Sequence, residues 1–132
     1  MIDLIIPLPP VPWQAAIKGR WGFYDPKEKE KRCVRYYIKQ CYKGDLITDY
    51  VRLYFEFFFK VPKSASNKKK MEMLQNKIFP TRCDCTNLQK LHEDCLKGIV
   101  IEDDRKVIET HSRKFYAEKE SIHIKISKFT DY

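Results

Sequence analysis

The segment YVRLYFEFFFK, residues 50–60, constrains the fold more than any other part of the chain. Its side chains alternate strictly. Val51, Leu53, Phe55, Phe57 and Phe59 fall on one side of an extended strand, and Arg52, Tyr54, Glu56, Phe58 and Lys60 on the other. A wholly apolar face must be covered, so this strand predicts a sheet with helices on at least one side. Two segments have the 3.6-residue period needed for that layer. In the first, Asp25 offers a cap, Pro26 suits the first helical position and Glu28 completes a capping box, while Val34, Tyr37, Ile38 and Cys41 form the stripe and Gly44 the stop. The second runs from about Thr86 to Lys97, with Leu88, Leu91, His92 and Cys95 as its apolar face and Gly98 as the exit.

Residues 2–6 read as a short first strand ended by prolines, and QAAIKGRWGFY as an irregular loop or ribbon. A short helix follows Ser64. Two or three strands lie in GIVIEDDRKVIETHSRKFY and SIHIKIS. A chain of 132 residues supports one core. The expectation is therefore a single α+β domain over residues 1–132, a mixed sheet of four to five strands packed with two main helices.

Charge indicates the kind of partner. Twenty-six Lys and Arg against eighteen Asp and Glu leave a net charge of +8, which favours a polyanion. Lys18, Arg20, Lys60, Lys68, Lys69, Lys70, Arg82 and Lys114 are candidate phosphate contacts. The apolar start, MIDLIIPLPPVPW, is broken by Asp3 and by prolines, so it reads neither as a signal peptide nor as a membrane span. Five cysteines, an odd number, suggest reduced thiols and a cytoplasmic setting.

Against this basic background the acids need a reason. Asp84 precedes the second helix, where a helix N-terminus favours negative charge, and Asn87, Lys90 and Asp94 form one polar stripe along it. Glu102, Asp103 and Asp104 follow shortly after the helix. At ~5 Å and an effective dielectric near ~20, each pair of like charges costs ~3 kcal/mol, which a divalent cation would relieve. Magnesium suits a few carboxylates with waters and substrate phosphates.

The run DCTNLQKLHEDCLKGIVIEDDRKV, residues 84–107, resembles the signature of the RusA family of Holliday-junction resolvases: Asp-x-Asp-Asn-Leu-x-Lys, a further Asp, a Gly, then an Asp pair before a strand. Weaker likeness extends to the Pro-rich start, the basic loop with Arg20 and the strand with Lys114. The resemblance implies a homodimeric, Mg²⁺-dependent endonuclease, with Mn²⁺ as a substitute ion. Its substrate would be branched DNA, the four-way junction, and it would use no small-molecule cofactor. Asp84 matches the first metal-binding aspartate, Asn87 and Lys90 the motif's Asn and Lys, and Asp103 and Asp104 the downstream pair, whose second member is the usual ligand. Thr86 stands where the second aspartate is expected, and it is a good N-cap. Glu93, seven residues on and on nearly the same face, is the expected replacement acid, with Asp94 the alternative.

Two other readings are carried forward. One is a non-catalytic DNA-binding module with a decayed metal site. The other is a small zinc-stabilised interaction domain using Cys83, Cys85, His92 and Cys95, although C-x-C-x6-H-x2-C departs from usual zinc spacing and His92 and Cys95 fall on the apolar stripe. Cys33 and Cys41 read as helix packing.

Overall fold

The alternating segment forms the centre of the sheet. In the computed structural model, which describes residues 1–131, its apolar side chains are buried from Val51 to Phe59 while their neighbours are half-buried or exposed. In chain order the elements are β1 (Ile2–Ile6), β2 (Ile17–Gly19), β3 (Gly22–Tyr24), α1 (Glu28–Cys41), β4 (Val51–Lys60), α2 (Asn67–Leu74), α3 (Cys85–Leu96), β5 (Val107–Ala117) and β6 (Ser121–Lys128). The main sheet has the order β1-β6-β4-β5, with β4–β5 parallel and the other two pairs antiparallel. Strands β2 and β3 form a separate hairpin, which gives the expected ribbon a definite shape. The fold is a single α+β domain with four strands in its main sheet.

One face of the sheet is apolar because three strands alternate in phase. Leu4 and Ile6 from β1, Leu53, Phe55 and Phe57 from β4, and Ile122, Ile124 and Ile126 from β6 meet there. Onto this face pack Val34 and Ile38 of α1 and Leu88, Leu91, Cys95 and Leu96 of α3. Burying each such side chain contributes about 1.5–3 kcal/mol. On the opposite face Phe79, following α2, reaches Phe115 at one corner, and the Phe129 ring lies against Arg52.

Three local expectations need correction. Helix α1 begins at Glu28, not Pro26, because Asp25 accepts from the Lys27 amide (2.9 Å) and from Lys31 Nζ (2.7 Å), closing a turn before the helix. Cys33 and Cys41 are exposed, since the buried stripe of α1 is narrowed to Val34 and Ile38 with Tyr37 half-buried. The N-cap of α3 is Asp84, so Thr86 lies inside the first turn and not at the cap. Cys83 before it has φ +68° while Asp84 is extended, and this sharp bend starts the helix earlier than the sequence suggests.

Candidate active site on helix α3 and strand β5

Helix α3 projects its polar side between the Pro-rich loop after β1 and the strand β5. Its apolar residues are held by the core, which fixes the rotation of the helix and leaves Asn87, Lys90, Glu93 and Asp94 away from the deepest core. Asp84 is exposed at its N-terminus. The carboxylate takes no capping hydrogen bond, so it is not consumed by the helix it precedes.

The bend into Asp84 is tied to the sheet. Cys83 occupies the left-handed region, which costs a non-glycine residue about 1–2 kcal/mol. Lys114 of β5 donates from Nζ to the Cys83 carbonyl at 2.8 Å and so holds that bend. Lys114 was expected on DNA; here its ammonium is engaged within the protein. Such backbone strain persists where the surroundings over-determine it.

The Pro-rich loop anchors the other side. The Trp13 amide donates to the Asn87 carbonyl at 2.8 Å, and the Trp13 ring lies 3.5 Å from Lys90 Nζ. A cation over an indole is attracted by the ring's negative face. Lys90 is therefore held over α3 by a residue 77 positions earlier in the chain.

Near the C-terminal half of α3 the acids gather. Burial, then the charges of Asp104 and Asp94, push the Glu93 carboxyl above its usual range, and a hydrogen bond from Gln89 pulls it back. Gln89 is itself fixed, because its Oε1 accepts from Ser112 Oγ of β5 at 2.7 Å. With the oxygen so engaged, the amide nitrogen faces Glu93. Asp104 begins a single 3-10 turn (Asp104–Lys106) and lies 3.8 Å from Lys97 Nζ. Asp103 serves that turn: its carboxylate accepts from the Arg105 amide (3.0 Å) and from the Arg105 guanidinium (2.8 and 3.0 Å), which holds it well below the usual carboxylate range.

The donor set suits a hard cation, since Glu93, Asp94 and Asp104 offer only oxygen and the charge of each aspartate bears on Glu93. A pair such as Glu93 and Asp104 matches the way Mg²⁺ binds through one or two carboxylates, the rest being water and phosphate. The nine residues from Asp84 to Glu93 span about 13 Å of helix rise, and among the described residues no three His, Cys, Asp or Glu side chains converge on one point. The structure places Glu93 within electrostatic reach of Asp94 and of Asp104, without gathering the three on one point, and leaves Asp84 at the other end of α3. A structural zinc site needs four converging ligands. His92 and Cys95 instead point into the core, where His92 Nδ1 bonds the Leu88 carbonyl at 2.7 Å.

The remaining basic candidates are dispersed. Lys18 lies in β2 and Arg20 at the hairpin turn, Lys60 ends β4, and Lys68, Lys69 and Lys70 sit in the first turn of α2, capped by Ser66. Arg82 stacks over the Phe59 ring at 5.2 Å.

With the geometry in place, the comparisons with known proteins bear on it directly. The family model described as "Endodeoxyribonuclease RusA" matches residues 7–127. The chain belongs to the RusA endodeoxyribonuclease family. The match takes in both the Trp13 loop and β5, so the whole RusA-like unit includes the two anchors of α3. Among curated proteins the chain is similar to "Uncharacterized protein YqaN" of Bacillus subtilis (strain 168), 28% identical over 113 residues, which cover 82% of this chain and 80% of that protein. Among the described residues no helix is long and apolar enough to cross a membrane.

Three residues of this site escaped the sequence reading: Trp13, Gln89 and Ser112. Gln89 stands inside the motif and could have been found there. Ser112 was legible only through register, since it faces Phe55 on the inner side of β4. Trp13 carries no signal, because its role depends on where the Pro-rich loop crosses α3.

Proposed function

We propose that this protein is a Mg²⁺-dependent endodeoxyribonuclease that resolves four-way DNA junctions by paired nicks in recombination and repair. The observation that carries this reading is the family match over residues 7–127 coinciding with Asp84, Asn87, Lys90 and Asp104 on a single helix–strand unit. Glu93 and Asp104 would hold the ion, and Asp84 supplies a further carboxylate at the helix N-terminus. Mg²⁺, when bound, lowers the pKa of water and offsets charge on a leaving oxygen.

The other roles belong to the chain itself. Lys90, steadied by Trp13, offsets the charge that builds on the scissile phosphate. Asn87 hydrogen-bonds that phosphate or a carboxylate. Lys114 fixes the approach of Asp84, and the hydrogen bond from Gln89 opposes the upward push of burial on the Glu93 carboxyl. Lys18, Arg20, Lys60, the lysines of α2 and Arg82 hold the arms by backbone contact.

A homodimer supplies two sites for paired cuts. The open face of the sheet suits a second copy because it is electrically balanced within a +8 chain. Arg52 faces Glu109 (3.0 Å), Arg113 faces Glu56 (3.4 Å) and Asp3 stands opposite Lys125. Two strongly basic bodies meet with least repulsion there. Sedimentation of the wild type and of Ile5→Lys, which adds charge to that face, tests this: a wild-type monomer rejects the dimer, and an unaffected dimer rejects the face.

A second reading, a DNA-binding module without catalysis, draws on Thr86 at the second aspartate position and on the absence of a three-ligand group among the described residues. A labelled four-way junction and a linear duplex, each with Mg²⁺ and with chelator, separate the two. Junction-selective nicking that needs Mg²⁺ and falls about 100-fold or more in Asp84→Asn and Asp104→Asn supports the nuclease. Binding without nicking supports the module.

A further inference from the structure

The β2–β3 hairpin presents a different chemistry from the rest of the surface. Its sequence, IKGRWGFY, is folded into a definite shape by its two glycines. Gly22 has φ +119°, a conformation open to glycine, and it pairs with Gly19 so that Arg20 and Trp21 make the turn between them. A Cβ on Gly19 would come 3.1 Å from the Tyr24 ring, so glycine there lets that ring lie across the ribbon. The result holds large aromatic rings in water: Trp21 is 91% exposed, Phe23 74% and Tyr24 52%. The Arg20 guanidinium lies 5.1 Å from the Trp21 ring centroid.

The charge around these rings is of one sign. Between Trp13 and Tyr24 there are Lys18 and Arg20 and no acid, unlike the balanced open face of the sheet. Rings beside cations, with no acid among them, match the chemistry of nucleobases stacked above a phosphate chain. In linear duplex each base already stacks on both sides, and free base faces occur where stacking is interrupted, as at a branch point.

Position adds to the argument. Trp13 is bonded to Asn87 of α3, and Ile17 opens the hairpin four residues later, at most ~14 Å away. The ribbon therefore leaves the protein beside the candidate site.

We propose that Trp21, at the tip of the β2–β3 hairpin, stacks on an unstacked base at the branch point of a DNA junction, with Arg20 and Lys18 on the flanking phosphates. This contact supplies preference for branched over linear DNA without reading sequence. It rests on the junction-nuclease reading and adds the device by which structure is recognised.

The test measures binding in chelator, so that cleavage plays no part, using a four-way junction and a duplex of the same arms. A 2-aminopurine is placed either at the branch or within an arm. The wild type is expected to bind the junction more tightly and to quench the branch probe only. Trp21→Ala should lose about 5- to 150-fold in junction affinity, leave duplex affinity unchanged and abolish the branch quench, while Trp21→Phe restores most of both. A wild type with no junction preference removes the reading on which the proposal rests. A wild type with that preference, retained in Trp21→Ala, overturns the stacking role alone. Loss of self-association in Trp21→Ala, with DNA affinity intact, overturns it in favour of a protein contact.

Discussion

Replacing His92 by Leu tests how the core around α3 is built. The imidazole is wholly buried, its Nδ1 donates to the Leu88 carbonyl at 2.7 Å and its Nε2 meets no hydrogen-bond partner among the described residues, with the Phe57 ring 5.2 Å away. Burial pulls the pKa down from 6.5 to about 4, so between those values the unfolded chain takes up a proton that the folded one refuses. The stabilisation is therefore complete above pH 6.5 and is lost as pH falls toward about 4. At about 1.4 kcal/mol per pH unit, that interval amounts to ~3 kcal/mol, a large share of the 5–15 kcal/mol typical of a domain. Urea unfolding of metal-free wild type and His92→Leu at several values from pH 7.5 to 4 measures it, and every other group cancels in the difference. The wild type should fall by ~3 kcal/mol more than the variant across the interval. At pH 7.5 the variant should be about as stable or better, since it also removes an unpaired acceptor whose burial costs ~1–3 kcal/mol. A pH-independent difference would refute a neutral, desolvated imidazole.

Three further outcomes follow from the site. Lys114→Met should cost about 1–2 kcal/mol and slow nicking while leaving DNA affinity in place, because it frees the Cys83 carbonyl; weaker binding to all DNAs with a shallower salt slope would instead make Lys114 a phosphate contact. Trp13→Ala removes a cation–π contact worth about 0.5–2 kcal/mol, and steady-state kinetics should show kcat reduced with KM nearly constant. Glu93 has a raised pKa, so its favourable contribution is present at low pH and lost as pH rises through that value. Glu93→Gln should thus raise the Tm of the metal-free protein at pH 7.5 and blunt the gain in Tm on adding Mg²⁺; a Mg²⁺ response equal to that of the wild type would remove Glu93 from the ion's ligands.

The sheet was legible in the sequence because its signal is local. Alternation in residues 51–59 and in SIHIKIS follows directly from burial of one face, and the stripes Val34–Ile38 and Leu88–Cys95 follow from covering it. What depended on residues far apart was not legible. That Lys114 turns inward to Cys83, or that Gln89 sits between Ser112 and Glu93, follows from the way β5 runs back along α3, which no short window of sequence contains. Helix starts were misjudged for a related reason. Asp25 and Thr86 both have capping chemistry, but the preceding turn at Lys27 and the bend at Cys83 decided where each helix begins. In the candidate site, the motif named Asp84, Asn87, Lys90 and Asp104, and the electrostatic coupling of Glu93 to Asp104 came only with the fold.

Strand β5 holds two of the side chains that organise α3, yet it is the last strand of its sheet and pairs on one side only. Edge strands open at lower free energy than central ones. On warming, Ser112 and Lys114 should therefore let go of Gln89 and Cys83 while β4 and β6 remain paired. Nicking would then fade some degrees below the temperature at which the core melts, and thermal inactivation would report the seam between one helix and one border strand, not the stability of the whole molecule.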